Sequence, residues 1–187
     1  MLLAAHIIFT TYMTWPPGDP RGHWSPLFDL YGHLIAKGHR LQLPDPVTLE
    51  HARGLAKETP KVLTAEEQTI VAEVFGGYLG VTPGKPGAIC FAAALERNHV
   101  HLMLGPQSKR DREETVGRLK GKSSSELKKL PMNAGRTRTW TAGYWHVDIY
   151  ENDPLHIIRN YIVDHNRRRN LPADPYPWIF TRMFNRV

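Results

Sequence analysis

The 187-residue chain has a single cysteine, Cys90, so no intrachain disulfide can form and the sequence fits a reducing compartment. It has no run near the roughly 18 apolar residues that a membrane-spanning helix needs. Its apolar start, Met1 to Phe9, lacks both a basic leader and a cleavage-site pattern, and is typical of a first core strand rather than a signal peptide. Repeats and low-complexity tracts are also missing. We therefore expect a cytoplasmic protein with no membrane partner.

The remaining composition is that of a single folded domain. Hydrophobic residues make up 41% of the chain and the mean hydropathy is -0.41, which is ordinary for a globular protein that buries a real core. We interpret residues 1–187 as one domain. It contains a segment near 15–60 that is too rich in proline to interpret, and a short C-terminal tail from about residue 170.

The basic residues outnumber the acidic ones. The net charge is +6 with an isoelectric point near 9.5, and the excess lies in two regions, residues 109–138 and 159–169. Basic patches favour polyanions, since binding releases the counterions condensed on a phosphate backbone. Solvated helix faces would give the same pattern, so charge alone does not decide between these interpretations.

The order of predicted elements indicates a fold class. Apolar and β-branched runs predict strands near residues 4–13, 88–95, 99–104 and 144–150. A capping box at 64–67 opens a helix, residues 111–130 are helical in composition, and Asp153-Pro154 predicts a helix entry that runs to about Arg168. This order predicts an α+β, ferredoxin-like split βαβ sandwich with a central antiparallel sheet and an additional C-terminal helix. Such a sheet packs helices on one face, and we expect the other face to stay open.

The run from Asn98 to Leu104 carries two histidines. Side chains alternate along a strand, so His99 and His101 point to one face while the apolar residues between them point to the other. Two imidazoles within reach of one divalent ion begin a metal site but do not complete it. The other histidines, His6 among them, are interpreted as ordinary polar or packing residues.

A second group of polar residues lies on the last predicted helix. Tyr161 and His165 are four residues apart and therefore share a face. If this helix lies beside the histidine strand, His165 becomes a third ligand and Tyr161 lies next to the metal. Mg²⁺ and Mn²⁺ both suit such a site, and the pattern does not separate them. The rival nucleophiles, Tyr144 and Tyr150, more plausibly pack or stack.

Several segments resemble a known family. Asn98 to Leu104 resembles the His-hydrophobic-His signature of the HUH superfamily, in the form found in single-tyrosine transposases of the IS200-like family. Leu119 to Leu127 is similar to the family's basic helix, Trp140 to Trp145 to its Trp-x-x-Gly-Tyr strand, and Tyr161-Ile162 to the opening of its tyrosine motif. Phe9 to Trp15 and Pro17 to Gly22 resemble the REP-associated tyrosine transposase branch.

The resemblance implies a metal-dependent endonuclease and strand transferase acting on single-stranded, hairpin-forming DNA. Tyr161 would form a 5′-phosphotyrosine bond, with Mg²⁺ or Mn²⁺ held by His99, His101 and a third ligand. The family usually has Asn or Gln four residues after the tyrosine, where this chain has His165, so Asn166 and Asp164 remain alternatives. The basic residues expected to contact DNA are Lys120, Lys122, Arg167, Arg168 and Arg169.

The resemblance leaves several questions open. It does not give the DNA target sequence. It also does not show whether the protein is a monomer or a homodimer, or whether Tyr161 acts in its own subunit or in a partner subunit. It implies a nucleoid-associated protein of prokaryotic type. The alternative function is a non-catalytic module that binds single-stranded nucleic acid on the same sheet, although the aromatic strand motif of RRM domains is absent.

Overall fold

A four-stranded antiparallel sheet forms the centre of the protein. The structure, a computed structural model, describes residues 1–16, 18–20, 45–80 and 87–181. The strands are β1 (Ala4–Thr10), β2 (Cys90–Leu95), β3 (His99–Leu104) and β4 (Trp145–Ile149). They lie in the order β2-β3-β1-β4, with every neighbouring pair antiparallel. This is the strand order of the ferredoxin-like sandwich, so the predicted α+β class is confirmed.

Four α-helices accompany this sheet in the described ranges. They are α1 (Pro46–Gly54), α2 (Ala65–Gly76), α3 (Lys109–Leu127) and α4 (Asn152–Arg168), and a short 3-10 turn follows α3 at Pro131–Asn133. None of them is long and apolar enough to cross a bilayer. Most of the segment near 15–60 lies outside the described residues, although α1 falls within that segment.

Local sequence explains where two of these helices begin. The capping box that opens α2 is formed as predicted, with Thr64 accepting from Glu67 N and the Glu67 carboxylate accepting from Thr64 N. Helix α4 begins earlier than predicted, at Asn152 with Glu151 as its N-cap, so Pro154 lies inside the first turn. Proline is tolerated there because the first-turn N–H groups have no intrahelical acceptor.

The main core lies between one face of the sheet and helices α2 and α3. Ile7 and Phe9 of β1 and Leu102 of β3 are buried there against Phe75 of α2 and Leu119 of α3. Helix α3 covers most of the stretch predicted to be helical, and it is continuous through its glycine and serine residues. Apolar packing on the sheet outweighs their weak helix propensity.

Helix α4 covers the opposite face of the sheet. The expectation that this face stays open is therefore wrong. Leu155 and Ile162 of α4 are fully buried against Met103 of β3 and Ile149 of β4 in a second apolar cluster. Helix α4 carries an apolar stripe, and a helix of that kind buries it against the nearest apolar surface. The histidine side of β3 therefore faces the tyrosine helix.

The outer edge of β2 is occupied by residues from the C-terminal part of the chain. Three outward carbonyls of the strand accept hydrogen bonds: Cys90 O from Phe180 N at 2.7 Å, Ala93 O from Asn166 Nδ2 at 2.9 Å, and Leu95 O from the Arg169 guanidinium. An edge strand exposes unpaired backbone groups that need partners. These bonds supply them, and they fix the C-terminal end of α4 against the sheet.

Candidate active site

Strand β3 presents His99 and His101 to the face covered by α4. Val100 and Leu102, the alternate residues, are buried in the main core on the other face. This is the predicted alternation. His101 is 2% exposed, whereas His99 is half-buried at the start of the strand. The apolar anchors on one face therefore hold both imidazoles on the other.

Helix α4 brings His165 and Tyr161 to the same place. The His165 ring centroid lies 4.4 Å from that of His101 and 5.5 Å from that of His99. Tyr161 lies one turn earlier, with its ring 4.9 Å from His165 and 5.3 Å from His101. The buried side chains of Leu155 and Ile162 pack against the sheet and orient the helix, so that the face with Tyr161 and His165 is turned to strand β3. All four side chains meet within one chain.

Three histidines form a possible metal site. One ligand nitrogen from each of His99, His101 and His165 lies within 4.8 Å of the others, and this is the one such group among the described residues. Asp164 instead forms an ion pair with Arg167 at 3.0 Å, and Asn166 donates to Ala93 O and Ala173 O. Of the three candidates for the third ligand, the structure brings His165 to the other two histidines.

The hydrogen bonds of the three rings suit metal binding through Nε2. Nδ1 is paired in each ring: with Asn98 Oδ1 at 2.7 Å for His99, with His6 Nε2 at 3.1 Å for His101, and with Glu96 Oε1 at 3.1 Å for His165. The Nε2 atoms of His101 and His165 are buried and have no hydrogen-bond partner among the described residues. Metal-binding histidines use one nitrogen for the ion and the other for a second partner in this way. The residues present therefore fit a divalent cation.

Burial controls the charge of the inner histidines. It lowers the pKa of His6 to about 3, with a further contribution from His165, and lowers the pKa of His101 well below its ordinary value, helped by the neighbouring histidines. Both rings are therefore neutral at physiological pH, and neutral imidazole is the form that binds metal. The hydrogen bond with His165 lowers the pKa of Glu96, so this partner stays a carboxylate.

Tyr161 is the most exposed member of the group. Its side chain is 46% exposed, so a substrate can reach its hydroxyl. Partial burial raises its pKa above the ordinary value; Arg168 opposes this rise and Glu96 adds to it. The hydroxyl is thus protonated at neutral pH, and it needs a phosphate made electrophilic by a neighbouring positive charge before it can act as a nucleophile.

The five predicted DNA-contacting residues differ in their surroundings. Lys122, Arg167 and Arg168 are exposed on their helices. Lys120 points inward instead, donating to Thr141 O and to Gly143 O, and burial lowers its pKa to about 8. Arg169 donates to Leu95 O and to Gln68 Oε1. Contact of all five with DNA stays a prediction, and the three exposed side chains are the ones open to a phosphate backbone.

The second partners of the histidines are not predictable from the sequence alone. The sequence predicts only an ordinary polar or packing role for His6, and it gives no role to Glu96. Their roles follow from the pairing of β1 with β3 and from the packing of α4 beside the β2–β3 turn. Strand alternation could have predicted part of this arrangement. His6 is next to the buried Ile7 on β1, so its side chain points to the opposite face of the sheet, the face that carries the other histidines.

Comparison with known proteins identifies the family. The family model described as IS200-like transposase matches residues 55–165, more than half of the chain and the whole span from the end of α1 to His165. The chain belongs to the IS200-like transposase family. Among curated proteins, none matches the sequence.

Two solved structures are similar to this IS200-like family member at low identity. One is a REP-associated tyrosine transposase bound to a REP hairpin, 11% identical, with a TM-score of 0.42 over 89% of this chain and 68% of the other. The second is a candidate transposase from Deinococcus radiodurans R1, 18% identical, with a TM-score of 0.35 over 88% of this chain and 92% of the other.

Proposed function

We propose that this transposase is a metal-dependent single-strand DNA endonuclease and strand transferase whose nucleophile is Tyr161. The observation that carries the proposal is the meeting of an accessible tyrosine with the three-histidine cluster of His99, His101 and His165 in one chain. The match to the family model, residues 55–165, spans all four of these residues.

The chemistry follows from what each group can do. A divalent cation held by the three histidines would neutralise charge on the scissile phosphate. The Tyr161 oxygen then forms a bond to phosphorus while the bond from phosphorus to the 3′ oxygen breaks. The proton lost by the phenol balances the one gained by the leaving oxygen, so the products are a 5′-phosphotyrosine and a free 3′-hydroxyl. Attack by another 3′-hydroxyl reverses the step and joins new strands without an external energy source.

The substrate proposed is single-stranded DNA that forms a hairpin. The exposed cations Lys122, Arg167 and Arg168 would contact its phosphates, and Arg168 lies close enough to Tyr161 to influence its pKa. The hairpin form rests on the segments Phe9 to Trp15 and Pro17 to Gly22, which resemble the REP-associated branch. Mg²⁺ and Mn²⁺ both remain candidates for the metal.

A covalent-adduct assay tests this function. Purified protein is incubated with single-stranded hairpin oligonucleotides from its own genomic flanks, labelled at either end, with Mn²⁺, Mg²⁺ or EDTA. We expect the 3′-labelled part of the strand to stay on the protein in a denaturing gel, and the 5′-labelled part to be released, only when metal is present. Tyr161→Phe should abolish the adduct. Tyr150→Phe, which changes an exposed tyrosine outside the site, should keep it.

The same assay can favour the alternative function. If wild-type protein binds the oligonucleotides but gives no adduct and no cleavage with either metal, the non-catalytic binding module becomes the better interpretation. An adduct that persists in Tyr161→Phe and vanishes in Tyr150→Phe would instead move the nucleophile to the other residue.

A further inference from the structure

We infer that His6 is a positioning residue that sets the tautomer of the metal ligand His101. This inference rests on the proposed metal-dependent function and deepens it, because it assigns a role to a residue outside the ligand set. The observation behind it is the hydrogen bond between His6 Nε2 and His101 Nδ1, 3.1 Å long and buried inside the protein.

The two rings are held firmly in this arrangement. They are nearly parallel, with an interplanar angle of 22° and centroids 5.3 Å apart, and both residues are buried, at 4% and 2% exposure. The strand register places Ile8 directly opposite His101, so His6 reaches His101 diagonally across the β1–β3 pair. The ring of Trp145 also lies nearly perpendicular to the His6 ring, at 5.6 Å between centroids.

A hydrogen bond between two neutral imidazoles has two possible polarities. In one, His101 donates from Nδ1, His6 accepts at Nε2, and His101 Nε2 carries a lone pair that can bind a metal. In the other, His6 donates from Nε2 to His101 Nδ1, the hydrogen of His101 lies on Nε2, and that nitrogen cannot be a ligand. The polarity of one hydrogen bond thus decides whether His101 can bind metal.

His6 differs in this respect from the partners of the other two ligands. Glu96 as a carboxylate can only accept, so it holds His165 with hydrogen on Nδ1. The Asn98 Oδ1 atom likewise only accepts from His99. Among these three partner atoms of the described site, His6 Nε2 alone can either donate or accept. His6 must therefore keep its own hydrogen on Nδ1 for the cluster to bind a cation.

The first test reads the tautomers directly in wild-type protein. Histidine is labelled with nitrogen-15, and the ring nitrogens are recorded by NMR in the presence of Mg²⁺, with His6→Gln used to assign the His6 signals. We expect hydrogen on Nδ1 and none on Nε2 for both His6 and His101. A spectrum with hydrogen on His101 Nε2 would overturn the inference. The result is read in wild-type protein, and His6→Gln serves only to assign signals.

The second test measures metal affinity by titrating each variant with Mn²⁺ and following free Mn²⁺ by EPR. Losing the partner of a ligating histidine typically weakens metal binding 10- to 100-fold, and we expect a loss of about this size for His6→Ala. His6→Gln, whose amide oxygen can accept from His101 Nδ1, should stay within about threefold of wild type by the same reasoning. Ile8→Ala, on the same strand and face, controls for lost packing.

The possible outcomes distinguish a failure of the His6 role from a failure of the proposed metal-dependent function. Wild-type affinity in His6→Ala would overturn the positioning role while leaving the metal site intact. Equal losses in His6→Ala, His6→Gln and Ile8→Ala would also overturn it, because packing alone would then explain the effect. Absence of Mn²⁺ and Mg²⁺ binding by wild-type protein would instead overturn the proposed metal-dependent function itself.

Discussion

Replacing Asn166 by alanine should destabilise the protein through the end of helix α4. The Asn166 side chain is 0% exposed, and its Nδ2 donates to Ala93 O at 2.9 Å and to Ala173 O at 3.0 Å. The variant would leave two carbonyls without these donors, each costing about 1–3 kcal/mol when buried. Since one of them is only partly buried, we expect a loss of about 2–4 kcal/mol. For a chain of this size that lowers Tm by roughly 5–15 °C.

A matched control is available on the same helix. Asn160→Ala removes the same side chain from an exposed position of α4 and should change the free energy of unfolding by less than about 0.5 kcal/mol. Thermal and guanidinium unfolding of wild type and both variants, in EDTA, gives the comparison. If Asn166→Ala were as stable as Asn160→Ala and yet failed to bind metal, Asn166 would be a ligand and its anchoring role would be refuted.

Two further predictions concern the site and its surroundings. Mn²⁺ at 100 times its Kd should stabilise wild type by about 2.7 kcal/mol and raise Tm by roughly 5–11 °C in a thermal-shift assay. His165→Ala should lose most of this shift. His156→Ala changes an exposed position of the same helix and should keep the shift. Burial lowers the pKa of Lys120 to about 8, below the value of about 10.4 in an unfolded chain. Between these values the unfolded state binds more protons, so the stability of wild type relative to Lys120→Met should rise with pH in chemical-denaturation curves. If the difference in unfolding free energy between wild type and Lys120→Met stayed constant or fell with rising pH, this prediction would be contradicted.

Periodicity predicted most of the fold because it reports burial directly. The alternation around Val100 and Leu102 gave the face of His99 and His101, and the capping box at Thr64 gave the start of α2. Helix α1 lies in a segment whose prolines obscured its pattern, and its Pro46 in fact occupies a favourable position in the first turn. Local signals of this kind fix elements, but their boundaries shift by a residue or more.

The site was harder to predict, because it depends on how elements pack. The spacing of Tyr161 and His165 showed that they share a face, yet Asp164 and Asn166 stayed open as ligands until the rotation of α4 against the sheet was known. Neighbouring residues on a helix point about 100° apart, so that rotation decides between them. The hydrogen bond of His6 with His101 depends on the pairing of β1 with β3, which no local pattern encodes.

The occupied edge of β2 links assembly to the geometry of the site. A second copy of the chain, or any extended peptide, could add a strand there only by displacing Asn166 and Arg169 from the carbonyls of Ala93 and Leu95. Those residues lie at the end of the helix that carries Tyr161, so strand addition at β2 would loosen the position of this proposed nucleophile. Linkage is reciprocal: any ligand that tightens the helix on the histidine cluster must disfavour association through this edge by the same free energy.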